Sequence, residues 1–157
     1  MSKESKILQA GPWGAQSTIT HYESFGWELV SLNGNQIVMS RETQDSVYPE
    51  LVKRQAAYEE KVAEYEALRK PVLVPPVEPK PISIKTCFIL FLLFVVPFAL
   101  YLTYKILKKK EYNENFAAYQ TELADATNAY NATKSRLIAE AETIATESRA
   151  IFFGARS

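Results

Sequence analysis

Four spacings of apolar residues follow one another along the 157-residue chain, and each predicts a different element. Ala15, Ile19 and Tyr22 recur at the period of one helical face, and Gly26 supplies a stop. Over residues 26–42, GWELVSLNGNQIVMSRE, two β-rich runs flank Asn33-Gly34, a pair that accepts positive φ at both central positions of a type I′ turn. With that turn Leu32 faces Asn35, Val30 faces Ile37 and Glu28 faces Met39. Val30, Leu32, Ile37 and Met39 then share one face, and Trp27, Leu29 and Val38 the other. A lone hairpin is marginal in water, so the preceding helix is expected to cover it, with KILQA adding a strand. The pattern predicts a small β-α-β-β domain over residues 1–45, with Trp27 and Leu29 as its contact face.

Residues 48–70 read as a charged helix, started by Pro49 and Glu50 in favourable first-turn positions. Leu51, Tyr58, Val62 and Tyr65 draw one narrow apolar seam along it, which wants a partner helix. Residues 71–85 are proline-rich and predict an extended polyproline II spacer, roughly 3.1 Å per residue. From 86 to 107 the chain is apolar and uncharged as far as Tyr104, close to the ~20 residues that cross a hydrocarbon core as one helix. Lys85, Lys105, Lys108, Lys109 and Lys110 mark the boundaries of this expected transmembrane helix, with Tyr101 and Tyr104 as interfacial aromatics and Pro97 as a mid-helix kink. Arg69, Lys70, Lys80 and Lys85 on one flank balance the lysines on the other, so orientation stays open. Over 108–157, Phe116, Leu123, Tyr130, Leu137, Ile144 and Ile151 stand at seven-residue intervals, predicting a long coiled-coil-like helix. Its second seam, Tyr119, Ala126, Thr133 and Glu140, grows more polar along the chain.

The fold class expected is therefore mainly α with a small α+β N-terminal domain. Eighteen basic and eighteen acidic residues cancel, which gives no footprint for nucleic acid. One cysteine and one histidine exclude a disulfide framework and a Cys/His metal site. Cys87 reads as an apolar filler, though its place beside the apolar segment would also suit S-acylation. The N-terminus lacks the apolar run of a cleavable secretory signal. No nucleophile–base pair or phosphate-binding glycine loop is present, so no catalytic residue, cofactor or small-molecule substrate is assigned.

The segment carrying Gly26, Trp27, Glu28, Leu29 and Val30, preceded by a helix and followed by a hairpin ending at Arg41, resembles a small bacterial domain of unknown function. The resemblance covers about the first forty residues. It implies the β-α-β-β order and a bacterial or phage setting, and no activity. The leading expectation is a non-enzymatic, single-pass protein of the cell membrane. It would act as scaffold or adaptor, with the lipid bilayer and a second copy or other protein as partners. Its contacts are assigned to Trp27, Leu29, Tyr58, Val62, Tyr65, Phe116, Leu123, Tyr130, Leu137 and Ile144. The alternative is an oligomeric pore or lysis-type protein hinged at Pro97. A third reading is ligand sensing near Trp13, Tyr22 and Trp27.

Overall fold

The computed structural model describes residues 3–44, 46–93 and 95–155. The chain is mostly helical and carries a small antiparallel sheet near its N-terminus. The elements are β1 (Lys3–Gln9), α1 (Ala15–Glu23), β2 (Glu28–Asn33), β3 (Gln36–Glu42), α2 (Tyr48–Ala67), α3 (Ile84–Leu93) and α4 (Val95–Gly154). They divide into two compact units, one built from residues up to Arg69 together with those from Asn131 onward, the other from Lys70–Tyr130.

In the first unit the sheet order is β1-β3-β2, so both β1 and β2 are edges. The hairpin turns one residue later than the asparagine–glycine pair predicts. Asn33 pairs with Gln36 and Leu32 with Ile37, which leaves Gly34-Asn35 as the loop. Gly34 alone takes positive φ, at 59°, the glycine-first pattern of a II′-type turn. A bulge at Val30 then brings Leu29 opposite Met39.

The core gathers Ile19, Tyr22, Phe25, Trp27, Ile37, Met39 and Tyr58 with Ala141 and Ala145 of α4. The seam on α2 does have a partner helix, and it belongs to the same chain. Leu137, Ala141, Ala145, Ser148 and Phe152 form the buried stripe of α4, spaced three or four residues apart. Two ion pairs, Arg54 to Glu147 at 2.7 Å and Lys61 to Glu140 at 3.4 Å, flank the seam, and Lys134 sits 5.7 Å from the Tyr65 ring. At Gly26, φ is 82° and an added Cβ would stand 3.0 Å from the Phe152 ring. This glycine therefore ends the turn after α1 and also makes room for α4.

In the second unit the expected membrane-crossing helix over 86–107 is overturned. Among the described residues no helix is long and apolar enough to cross a membrane. Phe94, counted within that span, lies outside the described residues. The apolar stretch is shared between two elements that run in opposite directions. The Lys105 ammonium donates to the carbonyl of Lys80 at 3.0 Å, and Glu78, Pro79, Lys80, Pro81 and Ile82 line a cavity with Lys105, Ile106 and Lys109. A single straight helix would set Ile84 and Lys105 about 31 Å apart at 1.5 Å per residue, too far for four linking residues and a lysine side chain to close. The ten residues of α3 reach only about 15 Å, half of a ~30 Å hydrocarbon core. Single-pass placement in the cell membrane fails with the spanning helix, and the pore alternative loses the helix it required.

Pro97 is correspondingly not a mid-helix kink. It is the third residue of α4, within the first turn, where backbone N–H groups have no helical acceptor and a missing one costs nothing. The proline-rich segment does not stand free as a spacer. It runs antiparallel to α4, with the Tyr119 hydroxyl 3.4 Å from the carbonyl of Leu73. Leu73, Pro76 and Pro79 are half-buried at the period of three that a polyproline II helix presents on one side. Tyr112, Phe116 and Tyr119 are half-buried on α4 along this stretch, with ring centroids 5.7 and 6.1 Å apart in succession.

Candidate functional site

Two features of the first unit concentrate chemistry: a buried polar network and an uncovered sheet edge. The network starts from alternation along β3, where Ile37, Met39 and Arg41 all point inward and are buried. A guanidinium in a core position must find partners for a planar fork of donors. Arg41 lies 4.5 Å from the Trp27 ring and 4.8 Å from that of Tyr48, and donates to the Glu4 carboxylate, to the carbonyl of Phe25 at 3.2 Å and to Gln55 Oε1 at 3.1 Å. Tyr48 donates to the other oxygen of Glu4 at 3.0 Å.

Gln55 links this cluster to a second one. Its Oε1 also accepts the Trp27 indole N–H at 2.8 Å, while its Nε2 donates to Glu59 Oε1 at 2.7 Å. The same Glu59 oxygen accepts Lys6 at 2.5 Å and the Tyr22 hydroxyl at 2.7 Å. Burial pushes Glu59 upward, but the donors Lys6, Gln55 and Tyr22 outweigh it and hold the carboxylate below its usual range. Burial, with Glu59 beside it, pushes the Tyr22 phenol far up, and Tyr58 follows for the same two reasons. Both phenols stay protonated, and Tyr22 donates to Glu59. His21 Nδ1 and the Tyr58 hydroxyl lie 2.7 Å apart, and burial lowers the His21 pKa against the opposing pull of Glu142. The imidazole is therefore neutral at pH 7.

These groups satisfy one another, which is the chemistry of a locked interior. Among the described residues no group of three or more His, Cys, Asp or Glu stands close enough to hold a metal ion. A cavity of about 200 Å³ opens beside Glu59, bounded by Leu8, Thr18, Tyr22, Tyr58 and Val62. The aromatic pocket expected from Trp13, Tyr22 and Trp27 does not form as one site. Trp13 packs on His21, Tyr58 and Tyr65 at ring distances of 5.5 to 6.4 Å, while Trp27 stacks on Arg41.

The network makes a pH prediction. The folded-state pKa of His21 lies below its ordinary 6.5, so the unfolded chain takes a proton first and stability falls as pH drops below 6.5. Glu59 is held below 4.5, so its contribution is complete above that value and is lost as pH falls through the folded pKa. Both act in the same direction. Urea titrations across this range should show stability declining with acid in two stages, and His21→Gln should remove the first while leaving the second. An unchanged profile in the variant would refute the assignment.

The second feature is β2. Every residue of this strand is exposed. Leu29 and Leu32 stand opposite the fully buried Met39 and Ile37, hence on the core-facing side of the sheet, yet they are 44% and 45% exposed. Val30, at the bulge, is 61% exposed. The cover over β3 stops short of β2. A groove of about 430 Å³ adjoins it, lined by Glu23, Trp27, Leu29, Arg149, Phe152 and Phe153. Of the contact residues expected from sequence, Leu29 lies at this surface. Trp27 and Tyr58 are buried in the core with Leu137 nearby in the α4 stripe, and Val62 and Ile144 pack against that core. Phe116, Leu123 and Tyr130 are half-buried positions of α4 in the second unit. Val30, Leu32 and Arg41 were missed as functional positions, although the inward alternation of Arg41 with Ile37 and Met39 was readable. No protein-family model, curated protein or solved structure matches the chain.

Proposed function

We propose that the chain is a non-enzymatic scaffold or adaptor that self-associates through the β2 edge. The carrying observation is a strand with a free hydrogen-bonding edge and three exposed aliphatic side chains, Leu29, Val30 and Leu32. Unprotected edges of this kind pair with further strands, and natural monomers blunt them with lysine, proline or a covering element. β2 has none of these within Glu28–Asn33; only Glu28 is charged, and only the Val30 bulge interrupts it. Antiparallel pairing of β2 with β2 from a second copy places the same patch on both sides of a twofold axis, which closes the assembly at a dimer. Leu29 and Leu32 of both copies then extend the two cores across the junction. The mutual satisfaction of the buried acids and bases supports a structural role for the first unit.

Sedimentation equilibrium on the full chain should show a concentration-dependent dimer. Val30→Lys with Leu32→Lys should weaken it by about tenfold or more, through unpaired charge at the interface, with the melting transition retained. A wild-type chain that stays monomeric at every concentration would overturn the proposal.

A further inference from the structure

The apolar surface of α3 and the start of α4 is left uncovered within the second unit. No residue of α3 is buried. Phe91, Leu92 and Leu93 are 58–67% exposed, and Val95 and Val96 both 69%. The half-buried positions are Cys87 and Leu90 on α3 and Phe98, Tyr101 and Leu102 on α4, as expected where two antiparallel helices face each other and turn the rest of their surfaces outward. Ser83 begins α3 by accepting from the N–H of Cys87 at 2.9 Å. One end of the pair is thus a cap of Phe, Leu and Val.

The opposite end is basic. Lys80, Lys85, Lys105, Lys108, Lys109 and Lys110 gather where the chain enters and leaves the pair, against Glu78, Glu111 and Glu114. Two of the acids are already engaged, Glu111 with Lys108 at 2.8 Å and Glu114 with Lys110 at 3.9 Å. Tyr101 and Tyr104 lie between the apolar cap and the lysines, and the Lys105 ammonium sits 5.8 Å from the Tyr101 ring centre. Apolar tip, aromatic shoulder and cationic base follow one another over about 15 Å, the depth of one leaflet's hydrocarbon. A second protein copy would cover the apolar cap and leave the lysine collar unexplained; an anionic lipid surface accounts for both.

We propose that α3 and the first turns of α4 form a wedge that enters one leaflet of an anionic lipid surface tip first and does not cross it. Both flanks of the wedge, Lys80 and Lys105, then stay on the same side, as their hydrogen bond demands. This differs from a spanning helix in the one observable that matters, the side on which the tip and flanks are found.

Flotation of the full chain with vesicles of phosphatidylcholine and phosphatidylglycerol tests it. The protein should float with these vesicles and at least about tenfold less with phosphatidylcholine alone. Replacing Lys108, Lys109 and Lys110 together by Gln should reduce the difference between the two. Leu92→Glu with Val96→Glu should abolish flotation while far-ultraviolet circular dichroism is retained. For depth, a fluorophore is attached through Leu92→Cys in a chain that also carries Cys87→Ala, which leaves the tip as the one site of labelling. The label should be quenched by nitroxides on lipid chains, and external protease should cut on both sides of the wedge. Absence of flotation by folded protein, full flotation of the double glutamate variant, or labelling of the tip by a maleimide sealed inside the vesicles would each overturn the proposal.

Discussion

Replacing Arg41 with Met should destabilise the first unit by about 3–5 kcal/mol, a large share of the 5–15 kcal/mol typical of a domain. The ion pair with Glu4 is not the main source. Glu4 is 34% exposed and can turn its carboxylate to solvent, which limits the penalty of losing its partner. The cost comes chiefly from the carbonyl of Phe25, a buried acceptor left without its donor at about 1–3 kcal/mol, and less from Gln55 Oε1, which keeps the Trp27 indole N–H. The space between the Trp27 and Tyr48 rings, which the flat guanidinium fills, adds to it. Arg41→Lys should recover little, because one ammonium cannot stack between two rings while reaching three acceptors spread around the fork. Urea unfolding followed by tryptophan fluorescence checks both variants, since Trp27 reports on the site directly. A loss below about 1 kcal/mol for Arg41→Met would show that the network is decorative.

That result bears on what could be read from sequence. Helical spacing at Ala15, Ile19 and Tyr22 and the alternation around the asparagine–glycine pair carry the order of the small domain, because both periods report directly on a buried face. Turn placement slips by one residue, since Gly34 can serve either position of a tight turn and the Val30 bulge absorbs the difference. Arg41 reads as a strand terminus because a lone basic residue carries no sign of the partners that bury it. Those partners, Glu4, Trp27 and Gln55, come from three other parts of the chain.

The apolar stretch after the prolines misleads for a different reason. Hydropathy counts residues and contains nothing about reversal, so two short helices and one long one give the same profile. The information lies instead in the prolines before it. A polyproline II segment with a period of three can lie against the aromatic positions of α4, and the contacts at Leu73 and Lys80 return the chain to the level of Lys105 before α3 begins. The same packing explains why Phe116 and Tyr119 are half-buried without a second molecule.

Ala141→Glu decides between an intramolecular and an intermolecular role for the tail. Heptad spacing points to Leu137 and Ile144, which implies a coiled coil with another chain. The buried stripe includes Leu137, with Ile144 at its margin, but runs on through Ala141, Ala145 and Ser148, where small side chains let α4 approach closely and large partners such as Phe25 and Tyr58 of the same chain fill the space. Ala141 is 1% exposed, so a glutamate there has no room, and the nearby Arg54 and Lys61 are already paired with Glu147 and Glu140. Burying an unpaired carboxylate costs several kcal/mol, and overpacking adds about 1–3 more, enough to unfold the first unit. Thermal melts should show loss of its cooperative transition at every protein concentration, while Ala132→Glu, at an exposed position of the same helix, should be nearly silent. Were the stripe instead an interface between chains, Ala141→Glu would yield a folded monomer whose transition no longer depends on concentration. That outcome would move the partner of the α2 seam back outside the molecule.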